Sequence, residues 1–154
     1  MTTLPRLFLF LEQFTARLAP LAQLALRFAL ATPFFRSGLT RWEGFGRISD
    51  STLYLFREEF RLHLFGAEVP YPAPALFAHG AAIAELLLPM LLVLGLGTRV
   101  AAAGLLAMTC IIQLTIPDGW ANFHLPWAAM ALSLVAFGAG PLSLDRVFSK
   151  RRMI

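Results

Sequence analysis

Apolar residues in this chain gather in runs too long for strands and too continuous for the stripe of a soluble amphipathic helix. Four runs stand out, at about 20–39, 76–96, 100–116 and 123–137. Each approaches the roughly 20 residues an α-helix needs to cross the hydrocarbon core of a bilayer. The pattern predicts four transmembrane helices. The first is the least apolar: Arg27 interrupts it, and Pro33 removes a backbone donor and predicts a kink. Only Gly95-Leu96-Gly97-Thr98-Arg99 separates the second from the third, which makes those two an antiparallel helical hairpin. Pro117-Asp118-Gly119 turns into the fourth, with Trp120 at the level of the interface, and Gly138-Ala139-Gly140-Pro141 ends it.

A polar stretch lies between the first two runs. In it Leu53, Phe56, Phe60 and Leu64 recur at helical spacing, while Arg57, Glu58, Glu59 and Arg61 ride elsewhere. With Ser49-Asp50-Ser51 offering N-caps, this predicts an amphipathic helix over about 50–65 that lies in the interface or caps the bundle. Pro70, Pro72 and Pro74 then force an extended or turning segment. At the N-terminus an apolar stretch interrupted by Glu12 lacks a small-x-small cleavage site, so it reads as a short helix on the membrane surface rather than a removable signal.

Composition agrees with a bilayer as solvent. Of 154 residues, 58% are hydrophobic and 14% charged, against about 25% charged in a soluble domain. So short a chain has one small core and cannot hide that much apolar surface from water. The expected fold is all-α, a single membrane domain over 1–154: a four-helix bundle with an extra amphipathic interfacial helix between the first two spans. No room remains for a soluble catalytic domain. The net charge of +4 does not point to nucleic acid, because the basic residues are dispersed and cluster only in Lys150-Arg151-Arg152. That run reads as a topology anchor at an anionic leaflet. The single cysteine, Cys110, excludes an internal disulfide, a CxxC pair and a cysteine-based zinc site, and its apolar setting reads as packing.

Basic residues in the flanks give orientation. One side holds Arg6, Arg17, Arg99, Arg146, Lys150, Arg151 and Arg152; the other holds Arg41, Arg47, Arg57 and Arg61 diluted by five carboxylates. Positive-inside then places both termini in the cytoplasm and the long connection outside.

Ionisable residues inside spans are costly and therefore candidate sites. Arg27 and Glu85 lie about twelve and nine residues from the outer ends of their spans, similar depths at 1.5 Å per residue. An ion pair between them is expected, either fixing helix register or serving a ligand head group. His79 and His124, at the outer ends of the second and fourth spans, join Asp118, Trp120 and Asn122 on one membrane face. There they would either hold a quinone head group or a haem, or simply reach water. Two histidines without a spacing motif make no metal site. Trp42, Phe45, Tyr54, Tyr71, Trp120 and Trp127 read mostly as an aromatic belt, and Gly104 as a point of close helix approach.

Several segments together resemble the DoxX family of small bacterial membrane proteins. Arg27 followed by Phe34-Phe35, Gly38 and Arg41 is similar to the family's opening pattern, with Arg41 where a lysine is common. Ala84-Glu85-Leu86 leading into Leu94-Gly95-Leu96-Gly97-Thr98-Arg99 resembles its middle, and Gly138 through Asp145 its ending. The resemblance implies a four-helix, multi-pass inner-membrane protein, and a role in redox chemistry linked to quinone or to thiols and sulfur compounds. It makes Glu85 and Arg27 the candidate catalytic pair. Arg99 is next, as a binding residue with His79, His124 and Trp120, or as a topology anchor. A bound quinone fits this reading better than haem, and the partners are the bilayer with a second protein or further copies of the chain. The rival readings are a non-catalytic docking protein that uses the outer amphipathic segment, and a small-solute or metal transporter.

Overall fold

The computed structural model describes residues 3–151, with side chains from 8 to 149. The side chains of Arg6 and of the Lys150-Arg151-Arg152 run, expected as topology anchors, lie outside the described residues. The first helix, α1 (Thr3–Thr40), runs unbroken for 38 residues with Pro20 and Pro33 inside it. The predicted span at 20–39 is its second half. The N-terminal segment does not form a separate helix but is continuous with the rest of α1.

After a tight loop closed by the Trp42–Ile48 bridge, Ser49 accepts from the Thr52 N–H and starts α2 (Asp50–Tyr54). It widens into a π-type turn, Leu55–Glu59, ended by the Phe60 N–H donating to the Leu55 carbonyl at 2.8 Å. The helix predicted to reach residue 65 therefore stops at Glu59. Two short antiparallel strands follow, β1 (Arg61–Leu64) and β2 (Ala67–Pro70), with Leu64 opposite Ala67. Their turn is Phe65-Gly66, both at positive φ (52° and 85°), as a two-residue hairpin requires. Leu64, placed by spacing on a helix face, belongs to a strand instead.

Next come α3 (Pro74–Leu94) and α4 (Thr98–Thr115), joined by Gly95 and Gly97 at positive φ. This is the predicted helical hairpin. A 3-10 turn (Pro117–Gly119) and a π-type turn (Trp120–His124) lead into α5 (Leu125–Phe137), and α6 (Leu144–Arg151) follows an irregular stretch. Helix α3 lies between α1 and α4, while α5 packs against both α4 and α1. Among the described residues three helices are long and apolar enough to cross a membrane: Phe8–Thr40, Pro74–Leu94 and Thr98–Thr115. With 13 residues, α5 is only about 20 Å long.

Leu30, Ala31 and Phe34 of α1 meet Leu92, Leu105 and Leu134 in the core. Small residues set the helix separations. A Cβ on Gly104 would lie 2.8 Å from the Leu88 side chain, and one on Gly38 would lie 2.9 Å from the Glu85 carbonyl carbon. Cys110 is exposed on α4 and does not pack inward as expected.

A second cluster sits over one end of the bundle, where Phe56, Tyr71 and Ala78 collect Leu53, Phe60, Leu62 and Phe77. The Phe56–Phe60, Phe56–Tyr71 and Tyr71–Phe77 ring pairs are edge-on at 5.0–5.3 Å, the arrangement aromatic quadrupoles favour. The Tyr71 and Thr115 hydroxyls lie 2.5 Å apart, and the His63 Nδ1–H donates to the Leu114 carbonyl at 3.1 Å. Residues 50–71 thus form a lid fastened to α4. Tyr71, expected in the aromatic belt, is buried within this lid, and Trp127 packs on Phe34 at 5.1 Å.

Candidate functional site

The expected Arg27–Glu85 pair does not form. Glu85 is 2% exposed and pairs with Arg41, whose Nε donates to Oε2 at 2.5 Å and whose Nη2 donates to Oε1 at 2.6 Å. The error lay in treating the helix ends as level. Gly38, two residues before the end of α1, packs on Glu85, which is eleven residues into α3. The first turns of α3 therefore rise past α1 to carry the lid. Arg27 lies a further eleven residues back along α1, about 16 Å away at 1.5 Å per residue.

Arg41 is positioned by what surrounds it. It follows α1 directly, its carbonyl accepts from the Ser49 N–H at 2.9 Å, and its guanidinium lies 5.6 Å from the centre of the Phe56 ring. The lid's first turn is thus tied to the same residue that neutralises Glu85. A two-pronged contact of this kind uses both carboxylate oxygens and fixes the plane of the guanidinium. It leaves the Nη1 N–H groups free of Glu85.

Beside the pair lies a cavity of about 660 Å³ between α1, α3, α4, α5 and the lid. Phe34, Phe56, Phe60, Phe77, Ile112 and Trp127 give it an apolar wall, and among the described residues Arg41 and Glu85 are its only charged lining groups. Ser37, Thr40, Tyr71 and Thr115 supply hydroxyls. An apolar chamber with a few convergent polar groups is the usual form of a small-molecule site. The net-neutral pair suits an uncharged ligand with hydrogen-bond acceptors better than an anion or a cation.

The other candidate site residues, His79, His124, Trp120 and Arg99, do not line this cavity. His79 is exposed, its Nδ1 donating to the Ala75 carbonyl one turn back at 2.7 Å. His124 is buried, with Nδ1 2.6 Å from Gln113 Oε1, its ring covered by Gly119 and 5.5 Å from that of Trp127. Trp120 is half exposed. Arg99 is exposed in the first turn of α4 near Gly138. Among the described residues no group of three His, Cys, Asp or Glu side chains could hold a metal ion.

Arg27 serves the opposite end of the bundle. It is 1% exposed, and its Nη2 donates to the Leu142 carbonyl at 2.5 Å. Gly95 packs directly against its guanidinium, and Gly140 against Gln23 one turn earlier. Asp145 completes the closure, because its carboxylate accepts from the N–H groups of Gly97 (2.7 Å) and Thr98 (3.0 Å), and its own N–H donates to the Gly95 carbonyl. Burial acts to raise the Asp145 carboxyl, but the Thr98 and Gly97 hydrogen bonds and the Arg27 charge outweigh it and hold it below the ordinary aspartate value. Its contribution to stability is therefore full above the unfolded value of 3.8 and is lost as pH falls through the lower folded value. Asp145→Asn is expected to remove this loss. In melting curves between pH 5 and pH 2 the native chain should fall more steeply than the variant.

Composition and spacing drew attention to Arg27, and missed Arg41 because it falls just outside the first apolar run. The signal that pointed to it was its place in the family-like series Arg27, Phe34-Phe35, Gly38, Arg41. The family model for DoxX matches residues 22–118, which takes in Arg41, Glu85 and the cavity lining except Trp127. The chain belongs to the DoxX family. The matched region of this DoxX protein includes α3, α4 and the lid, and stops before α5 and the Asp145 closure. A Haemophilus influenzae protein described only as uncharacterized is 33% identical over 138 residues, covering 82% of this chain and 83% of the relative. No solved structure matches the chain.

Proposed function

We propose that this DoxX protein crosses a bacterial inner membrane four times with both termini cytoplasmic, and binds a lipophilic quinone-class molecule beneath its outer lid. It acts as the membrane subunit of a redox system. α5 with the helical turns before it, from Trp120 to Phe137, supplies the fourth crossing. The cavity carries the binding claim, because it joins apolar walls to one neutral, bidentate Arg41–Glu85 pair.

In this reading a carbonyl oxygen of the ligand accepts from Arg41 Nη1, and the ring lies among Phe34, Phe56 and Trp127. Glu85 holds the guanidinium in place and stands within one side chain of the bound oxygen as a proton partner. Arg27, His79, His124, Arg99 and Trp120 do not line the cavity, so they have at most supporting roles. The test is titration of the purified protein with a short-tailed quinone, read by quenching of tryptophan fluorescence. Saturable quenching is expected, and Ala84→Phe, which fills the cavity from α3, should weaken it at least tenfold without lowering the melting temperature. Equal quenching in both proteins would remove the cavity from the account.

One observation favours the docking reading as an addition. Phe45 and Phe65 stand fully exposed at the tips of the two outer loops, and Phe65 holds a left-handed backbone that a glycine would adopt more readily. If the lid docks the soluble part of the redox system, Phe45→Ser with Phe65→Ser should abolish co-purification of that partner and leave quinone binding unchanged.

A further inference from the structure

Helix α1 is longer than its bundle needs. At 1.5 Å per residue its 38 residues span about 57 Å, whereas the hydrocarbon core is about 30 Å thick. Contact with the rest of the bundle extends down α1 to Gln23, which packs against Gly140. Before Pro20, which is half-buried, residues 8–19 are exposed on every side. They include Phe8, Phe10 and Phe14, exposed by 69%, 63% and 51%. Left in water, this segment would present far more apolar surface than a soluble helix tolerates.

The apolar surface has a direction. Leu11, Phe14, Leu18 and Leu21 follow one another at intervals of three, four and three, forming one stripe. Phe10 flanks that stripe and stacks on Phe14 at 6.4 Å. From Leu11 onward the opposite side carries Gln13 and Ala16, with the exposed Leu9 one turn earlier on that side, and Arg17 borders the stripe. Phe14 lies nine residues before Gln23, Leu18 nine before Arg27, and Leu21 nine before Leu30, and those three partners face the bundle. Nine residues are two and a half turns at 3.6 residues per turn. The stripe therefore points directly away from the core.

From these observations we infer that the part of α1 from Phe8 to about Pro20 is a membrane-surface helix, bent outward from the bundle, with the stripe sunk in the lipid leaflet at that end. A helix leaving the bilayer and bending away from its bundle turns its outward face up against the membrane. A stripe opposite the core is the only placement that meets lipid after such a bend. Pro20 stands at the junction and has no N–H for the carbonyl one turn earlier, so the backbone bends there at low cost. Arg17, at the edge of the stripe, reaches the phosphates. This inference does not depend on what the cavity binds.

The test uses the full chain with Cys110 replaced by serine and single cysteines at Leu11, Gln13, Phe14, Ala16 or Leu18, each carrying an environment-sensitive fluorophore. The protein is placed at one copy per nanodisc of phosphatidylethanolamine and phosphatidylglycerol. Spin-labelled lipids should quench positions 11, 14 and 18 several-fold more than 13 and 16, while a water-soluble quencher gives the reverse order. Equal access of the aqueous quencher to all five positions would overturn the inference. So would protection of 11, 14 and 18 that appears only with two copies per disc together with cross-linking at 14, since a second copy then covers the stripe.

Discussion

Glu85→Ala is expected to cost about 3–5 kcal/mol of stability, because it leaves the Arg41 guanidinium partly buried without its counter-charge. The guanidinium cannot swing freely into water, since the residue's backbone anchors the start of the lid and its head lies near Phe56. Removing both charges should be much less harmful. In Arg41→Met with Glu85→Leu, apolar side chains of similar volume replace the pair, and such exchanges are often neutral or stabilising. Stability measured by unfolding in mild detergent should therefore return close to that of the native chain. The same double variant should not bind quinone, because the N–H donor is gone. Stability and binding then separate, and a pair that served only to fix the helices would not separate them.

The second large effect is expected at the other end of the molecule. Gly95 has φ of 67°, and any Cβ there would run into the Arg27 guanidinium and lie 2.5 Å from Ser143 Cβ. Arg27 is enclosed and bonded to the Leu142 carbonyl, so it has little room to retreat. Gly95→Ala should cost about 3 kcal/mol or more, combining roughly 1–2 for the left-handed backbone with overpacking and loss of the Asp145 contacts. Gly97→Ala is the control. Its φ is 58° but nothing lies within 4 Å of the added methyl, so only the backbone cost of about 1–2 kcal/mol remains. Comparing the two unfolding midpoints isolates the packing of Gly95 against Arg27 and Ser143 from the backbone cost.

The long helices and the α3–α4 turn were legible in the sequence because run length and paired glycines are local signals. The lid was only half legible. Leu53 and Phe56 do share a helical face, with Phe60 just beyond it in the same cluster, but the same periodicity carried the helix six residues too far. Four-residue strands turned by Phe65-Gly66 lack the Asn-Gly or Asp-Gly mark that announces a tight hairpin. The partner of Glu85 was hidden for a different reason. Its depth could be counted along α3, but the offset between α1 and α3 comes from Gly38 letting the backbones approach and from the lid standing on the first turns of α3. Neither is visible in either helix alone. Arg27 looked like the mate of Glu85 because both are buried charges, yet its role depends on Leu142 and Asp145, more than a hundred residues later.

The site and the closure divide the bundle into two functional ends. Packing around Arg27 is glycine-dependent, with Gly95 against its guanidinium, whereas the Arg41 end holds the cavity and is roofed by aromatic rings.

The claim that the cavity holds a quinone is tested most directly by extracting protein purified in mild detergent with organic solvent and weighing what is released. About one quinone per chain is expected from the native protein, and almost none from the Arg41→Met, Glu85→Leu variant folded to the same degree. An empty extract from the native protein that also fails to take up added quinone would contradict the account.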